Sequence, residues 1–518
     1  MPVRDRLAPG GIVLGAINAR YRHTAFGLRY LLANLGALAE RAQIVETFVQ
    51  QPASAIVDAL LASEPRVVGL GVYVWNTTRA LEVVTQLRAR RPDLVIVLGG
   101  PEVSHEWQTQ SIVELADYTV TGEGEEVFRR LCESLLDGER PEEAVLHGTS
   151  PPLEQLALPY HLYTDEDLAH RVVYVEASRG CPFRCQFCLS SLDAGVRMVP
   201  REGFFTEMER LLERGARDFK FIDRTFNLRI ADSVAILRFF LDRLRPGLSL
   251  HFEMVPDRLP EPLRELLAAF PPRTVQLEIG IQSWSEEVGR LIERRQDAER
   301  TEANLRFLAE ETDVHVHADL IVGLPGEDLA TFAVGFDRLL GLRPQEIQVG
   351  ILKRLRGTPI TVHDETRSMV YRAEPPYEIV STSTMSVDEV EAMKRFARFW
   401  DLVANSGNFR EATPLIWSTT SSAFAGFAAF SEWLHQALGR THHIQLHELA
   451  VTVFDYLVDE LDLDAGLAAL AVARDIHRTR GRKTPKVLKP HLPDGWRPPV
   501  APPVTGGLVR QARHAGAP

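Results

Sequence analysis

Cys181, Cys185 and Cys188, in the run Cys181-Pro-Phe-Arg-Cys185-Gln-Phe-Cys188, are the residues whose type and spacing most directly imply chemistry. Three thiolates this close can ligate one iron–sulfur cluster. A cubane 4Fe–4S cluster has four irons, so three cysteines leave one iron open to a small chelating molecule. A structural zinc would want a fourth Cys or His nearby to close its tetrahedron, and none lies within easy reach.

The CxxxCxxC run resembles the signature of the radical S-adenosylmethionine (SAM) superfamily, down to the aromatic Phe187 before the last cysteine. The resemblance implies that the open iron binds the amino and carboxylate groups of SAM and that reductive cleavage yields a 5′-deoxyadenosyl radical. It also implies that Phe187 lies against the adenine and that an external donor such as a flavodoxin or ferredoxin supplies the electron.

The chain that positions this motif has 518 residues, enough for about three domains with their own cores. Apolar residues make up 45% and charged residues 25%, an ordinary globular composition. No run of about 18 apolar residues and no secretory-type N-terminus is evident, and an oxygen-sensitive cluster needs a reducing compartment, so a cytoplasmic protein is expected. Of the four cysteines, Cys132 falls on a helical apolar stripe with Phe128, Leu131 and Leu135 and reads as core. The net charge of −12 argues against broad nucleic-acid binding.

Upstream, strand-like runs at Ile12–Ile17, Ile44–Val49, Val67–Val74, Val95–Leu98 and Tyr118–Thr121 alternate with helical patterns such as Phe26–Leu38 and Thr77–Arg90. That alternation predicts a doubly wound α/β domain over residues 1–137, with a ligand outside the carboxyl ends of its strands. Those ends carry Tyr21 and His23, then Trp75 and Asn76, then Gly99, Gly100, Pro101 and Glu102, then Gly122 and Glu123. Glycines let a bulky ligand approach the backbone and aromatics give it flat walls. Gly99-Gly-Pro-Glu-Val and Thr121-Gly-Glu-Gly-Glu, upstream of the cysteine run, resemble the N-terminal cobalamin-binding domain of the B12-dependent radical SAM class. The Asp-x-His-x-x-Gly motif that donates a lower axial histidine in methionine-synthase-like domains is absent: His23 has no Asp two residues before it. The resemblance therefore implies cobalt without a protein histidine beneath it.

Residues 138–170, with several prolines and glycines and little apolar periodicity, read as a linker. From 171 to 375 strand and helix alternate again, and the superfamily resemblance implies a partial (β/α)6 radical SAM barrel. In Ser249–Met254, Gln276–Gln282 and His315–Leu320 polar residues occupy one face at period two while the other face is apolar. A parallel barrel buries both faces, so the polar one should line a ligand-filled lumen. Glu278, His317 and Asp319 are candidate catalytic residues on it; a lone His315 reads more simply as a hydrogen-bonded buried group. By resemblance, Asp223 stands where the superfamily has a Gly-Gly-Glu-like element for the SAM amino group. Gly280 and Gln282 belong to a segment resembling the fifth-strand element near the SAM ribose. Gly323 and Pro325 belong to a segment resembling the turn after the sixth strand, which backs the adenine.

Residues 376–477 read as a mainly helical domain, with helices at Val387–Ala404, Ala423–Leu438 and His447–Leu461, and aromatics that read as core. Residues 478–518 form a basic, Pro-rich tail for which disorder or a surface-wrapping path is expected. The cluster run, the opening Asn-Ala-Arg-Tyr-x-His and the helical extension resemble a subgroup of the B12 radical SAM class with a C-terminal domain of unknown function. The expected activity is transfer of a methyl group from methylcobalamin to an unactivated carbon of a small-molecule or peptide substrate. The alternatives are a non-methylating rearrangement or cyclisation, and a non-catalytic iron–sulfur redox or cofactor-binding protein. A methylthiotransferase-like RNA modifier is disfavoured, because that family carries three further N-terminal cysteines and the first 180 residues here hold only Cys132.

Overall fold

Five apolar runs near the N-terminus become neighbouring strands. This computed structural model describes residues 10–193, 195–499 and 509–514. β1 (Ile12–Asn18), β2 (Ala42–Phe48), β3 (Val67–Gly71), β4 (Val95–Gly99), β5 (Tyr118–Thr121) and β6 (Val145–His147) form one parallel sheet in the order β2-β1-β3-β4-β5-β6. β3 is buried throughout because both faces of the sheet are covered, as parallel sheets require. Val13, Val57, Leu60 and Val83 pack on one side, and Leu14, Phe128, Leu131 and Cys132 on the other.

Two departures from the sequence reading have local causes. β3 stops at Gly71, short of Val74, because the Asn76 amide accepts from Tyr73 N at 2.8 Å and donates to the Ile17 and Gly71 carbonyls, both at 3.1 Å. Those bonds pull the chain into a turn. Residues 138–170, read as a linker, contain β6, paired with β5 through Thr119 and Val145. They also contain the helix Asp165–His170, opened by a capping box between Thr164 and Asp167.

The chain divides into two compact units: Met1–Arg224 with Lys353–Thr361 and Arg372–Glu378, and Thr225–Leu352 with Val362–Tyr371 and Ile379–Pro518. The first unit continues past its sheet with β7 (Val173–Val175) and the antiparallel pair β8 (Ser178–Arg179) and β9 (Arg197–Met198), then β10 (Asp218–Phe221), parallel to β7. β8 and β9 staple the base of the cysteine loop.

In the second unit β11 (Ser249–Met254), β12 (Val275–Gln282), β13 (His315–Val322) and β14 (Glu346–Ile351) are parallel neighbours in the order β14-β13-β12-β11. β12 alternates buried and half-buried residues along its whole length, so its polar face is the more accessible one. Counted in chain order from β7 and β10 and leaving out the short pair β8 and β9, β12 is the fourth strand and β13 the fifth, not the fifth and sixth. The sixth is β14, and the short β8 and β9 pair only with each other.

The helices Val387–Trp400, Ala423–Leu438, Leu446–Asp455 and Ala465–His477 follow. The first and third run on through π-helical turns to Asn405 and Glu460. Phe396, Phe399 and Trp400 are all at most 2% exposed and form the core between helices. Within the tail, Lys486–His491 is a 3-10 helix that buries Leu488. Gln511, in the helix Val509–His514, donates to Gln276 Oε1 at 2.5 Å. The rest of the tail reading, positions 500–508 and 515–518, lies outside the described residues.

Candidate functional site

The cysteine loop leaves β8 and returns at β9. Cys185 is 7% exposed, whereas Cys181, Phe187 and Cys188 are half-buried. Cys188 N donates to Cys185 O at 3.0 Å, and the Ser191 hydroxyl donates to Cys188 O at 2.7 Å, so the last two cysteines sit on one hydrogen-bonded turn. None of the three is in a disulfide. Burial, followed by the neighbouring Cys188 and Cys185, pushes the Cys181 thiol up, while Arg224 pulls it down. The three sulfurs thus share one electrostatic neighbourhood, a donor set that suits iron.

Asp223, two residues after β10, is 2% exposed and accepts from Ser178 Oγ at 2.5 Å and Ala177 N at 3.0 Å. Burial pushes its carboxyl up to about 7 against those bonds. Its partners are the residues leading into the cysteine loop, so it braces that loop from below; the sequence reading gave it to the SAM amino group.

The strand-end loops of the first sheet separate into exposed walls and buried ties. Trp75 is 54% exposed and stacks on Tyr73 at 4.4 Å, and Tyr21 is 46% exposed with Arg171 over its ring. Gly99 ends β4, and Gly100 after it has φ +105° with no space for a side chain: a Cβ there would lie 2.5 Å from Val72 O. These features suit a large flat ligand resting on backbone.

The acids next to them face inward. Glu102, after Pro101, is 4% exposed and accepts from Tyr377 OH at 2.5 Å and Arg356 Nε at 2.9 Å. Glu106 meets Arg354 at 3.2 Å and Gly357 N at 3.2 Å. Glu123, after Gly122, is held by Arg179 at 2.8 Å and by Arg197, and Arg179 also reaches Glu125 at 2.9 Å and Glu176 at 3.0 Å. Glu102, Glu123 and Asn76, read as cofactor contacts, are therefore engaged by the protein itself. His23 Nδ1 lies 2.6 Å from Tyr174 OH. Burial, then Lys220 and neighbouring arginines, pulls its imidazole below the ordinary range, and the ring is already paired with a phenol.

In the second unit the polar faces of β11, β12 and β13 meet in register. Glu278 stands between Glu253 and His317, and Gly280 is opposite Asp319. Glu278 Oε2 lies 2.9 Å from His251 Nε2. His317 Nδ1 lies 3.4 Å from Asp319 Oδ1 and is buried without a hydrogen-bond partner. Burial pulls the His317 imidazole down although Glu346 and Glu278 oppose it. Gln282, at φ +69°, sits at a register shift that ends β12. Gly323, at φ +85°, opens the turn through Pro325, where a Cβ would fall 2.7 Å from Ile379. His315 pairs with Glu346 at 2.9 Å and is 5% exposed, as a hydrogen-bonded buried group would be.

Two residues escaped the sequence reading. His251 was visible only as one polar residue among several on its strand. Glu327 follows Gly326 in the turn after β13, is 2% exposed, and accepts from Ser283 Oγ at 2.5 Å. Burial pushes it up to about 7, and its other oxygen is buried without a hydrogen bond. It ties the end of β12 to the turn after β13. Its place directly after Gly326 was the available signal.

Residues 175–337 match the Radical SAM superfamily and residues 12–132 match the B12 binding domain. This is a radical SAM protein with a B12-binding domain. Residues 366–478 of the radical SAM protein match a protein of unknown function, DUF4080. It is 27% identical over 379 residues to the 2-(S-pantetheinyl)-carbapenam-3-carboxylate methyltransferase of Streptantibioticus cattleyicolor, covering 67% of this chain and 54% of that one. It is 25% identical over 385 residues to the cobalamin-dependent radical SAM methyltransferase TokK of Streptomyces tokunonensis, covering 67% and 55%. The similarity thus spans about half the length of these relatives. Among solved structures, the cobalamin-dependent SAM radical enzyme OxsB shares the fold at a TM-score of 0.60 and 14% identity, over 92% of this chain and 85% of that one. No helix among the described residues of the radical SAM protein is long and apolar enough to cross a membrane.

Proposed function

We propose that this radical SAM protein is a cobalamin-dependent methyltransferase acting on an unactivated carbon, supplied with electrons by an external flavodoxin- or ferredoxin-type donor. The observation that carries the reading is three cysteines, none in a disulfide, on one stapled loop in a chain that also has a B12-binding domain. The similarity to two methyltransferases supports the reaction type. Cys181, Cys185 and Cys188 would hold the cluster, Phe187 would flank SAM, and the turn at Gly323 and Pro325 would back its adenine. Trp75, Tyr21 and the Gly99-Gly100 backbone would receive cobalamin. When bound, the cluster and SAM supply a carbon radical and cobalamin a methyl group.

The protein's own part is to orient and to exclude. Asp223 holds the cysteine loop through Ser178 and Ala177. Tyr174 keeps His23 engaged, so no imidazole is offered to cobalt from that loop. Glu278, His317 and Asp319 present charge and proton-accepting atoms to whatever enters the face of β11–β13.

Anaerobic reconstitution with SAM, cobalamin and a reductant, followed by mass spectrometry, tests the reading. Production of 5′-deoxyadenosine together with methyl transfer to an added substrate pool is expected; absence of SAM cleavage overturns it. Electron paramagnetic resonance of the Co(II) state should show no axial nitrogen splitting. A splitting that vanishes in His23→Ala would refute the histidine-free lower face.

A further inference from the structure

The polar face of β12–β14 is shut at one end. Along β13 the side chains of His315, His317 and Asp319, which share that face, are 5%, 14% and 17% exposed, and Glu346 at the start of β14 is 6% exposed. Burial therefore deepens toward the amino ends of the strands, away from the turn at Gly323 and Pro325 that follows β13. The helix Val509–His514 meets the residues at the closed end. We propose that this helix is the floor of the reaction chamber, with Gln511 and His514 as positioning residues that limit how deep a substrate enters and keep water from the deep end. The inference deepens the proposed function, and rests on it for the floor's use but not for its seating.

Gln511, 3% exposed, donates through Nε2 to Gln276 Oε1 at 2.5 Å. Gln276 is the register partner of His315, and both stand one step below Glu278 and His317 on the same face. The His514 ring lies edge-on to that of His315, with centroids 5.4 Å apart. His514 Nε2 donates to Asn405 O at 2.8 Å, and burial pushes the imidazole down to about 4, so the ring is neutral and carries its proton on that nitrogen. His315 in turn meets Glu346 at 2.9 Å. The helix thus touches the deepest polar residues of β12 and β13, and those residues lead directly to the groups of the chamber.

The seat is built for this approach. Asn405 is tied to the edge strand β14, accepting from Ile347 N at 2.9 Å and donating to Ile347 O at 2.8 Å. Arg513 Nη1 donates to Ser406 O at 3.1 Å, and Arg410 Nη1 donates to His514 O at 2.8 Å. Next to Ser406 stands Gly407, where a Cβ would fall 2.9 Å from the Cβ of Arg513. A helix of six residues is not stable alone in water, so its order comes from this seat. A barrel lumen is open at both ends unless something fills one of them, and excluding water strengthens every electrostatic contact inside and protects reactive intermediates.

The test is a footprint of His315 in the reconstituted holoprotein. Diethyl pyrocarbonate modifies accessible imidazoles, and mass spectrometry of the digested chain reads each histidine separately. In the parent, His315 should stay unmodified while the exposed His442 and His443 react. Gln511→Ala and His514→Ala are made separately, so that a folding failure in one leaves the other. In each, His315 should react about tenfold faster, the scale of losing one buried hydrogen bond, with the cluster's absorbance unchanged. Prompt modification of His315 in the parent, or continued shielding in a folded variant, overturns the floor. Because packing alone would give the same footprint, SAM cleavage is followed on the same preparations. The KM for SAM should hold, since the turn at Gly323 and Pro325 lies at the carboxyl ends, while 5′-deoxyadenosine formed per product from the added substrate pool should rise several-fold. An unchanged ratio with His315 released overturns the chamber role. Parent cleavage with His315 shielded in both variants removes the floor alone, whereas release of His315 in a protein that cleaves no SAM removes the proposed function and leaves the seating.

Discussion

Acidic side chains gather in two regions of this molecule, and their neighbours differ. At the strand ends of the first sheet, Glu102, Glu106, Glu123 and Glu125 meet arginines, with Arg356, Arg354 and Arg179 each within 3.2 Å of a carboxylate. On the face of β11–β13, Glu278 and Asp319 stand beside imidazoles, His251 at 2.9 Å and His317 at 3.4 Å. A guanidinium keeps its charge at any working pH and fixes a carboxylate permanently. An imidazole can give up its proton or take a ligand. The first arrangement therefore builds scaffold, and the second leaves a site that can respond to what binds.

The comparison can be broken most severely at the cysteines, which belong to neither acidic region. Ala in place of Cys181, Cys185 or Cys188 should abolish the cluster's visible absorbance and SAM cleavage together. Cys132→Ala, at a fully buried core position, should spare both. A normal cluster in the triple variant would end the reading.

Next in size is Arg179→Met, which would leave Glu123, Glu125 and Glu176, all at most 19% exposed in their side chains, facing one another. Removing one partner from a buried charge network costs about 3–5 kcal/mol, so denaturant melting should show a large loss of stability. Unchanged stability would mean that these acids are not scaffold.

Glu278→Gln sharpens the contrast from the other side. The amide keeps shape and a bond to His251 but drops the charge, so the melting temperature should barely move. SAM cleavage or product formation should fall about tenfold or more, since one charge-assisted hydrogen bond is worth roughly 1.5–3 kcal/mol. A large melting shift with unchanged turnover would move Glu278 into the scaffold.

A pH-dependent effect is expected at Asp475, outside both regions. Its carboxylate accepts from Glu411 N at 3.0 Å and Ala412 N at 2.9 Å, and burial nevertheless pushes it from 3.8 to about 7, with Glu411 adding to the rise and Arg478 opposing it. Arg410 is its other charged neighbour. A raised folded-state value favours the protonated form in the native protein. Its stabilisation is thus complete below about pH 4 and lost as pH rises towards 7. Urea midpoints of wild type and Asp475→Asn should therefore diverge between pH 4.5 and 7.5, with wild type losing more; parallel profiles would show that Asp475 does not titrate in this window.

The sequence showed the elements more clearly than it showed the partners. β1, β3, β4 and β5 were legible because mostly apolar runs mark strands buried on both faces, and the cysteine loop because its spacing is its function. β6 was hidden by brevity, with three residues among prolines and glycines. The early end of β3 was hidden because Asn76 works through backbone atoms of β1 and β3. The roles expected of Glu102 and Glu123 depended on arginines far away in the chain; Arg356 lies 254 residues from Glu102. Glu278, His317 and Asp319 were legible as a group because period-two alternation places strand neighbours on one face whatever their partners are.

Gly100 carries a consequence for how this molecule tolerates change. Its φ of +105° and the 2.5 Å gap between a Cβ and Val72 O make two separate demands for glycine, one on backbone angle and one on space. In a saturation mutagenesis library selected for folded protein, position 100 should be blank for all nineteen replacements, while the exposed ring at Trp75, three residues beyond Val72, accepts many. The loops after β3 and β4 would then read as a permissive codon in one and a forbidden codon in the other, a pattern by which relatives with the same turn can be sorted from those that have rebuilt it.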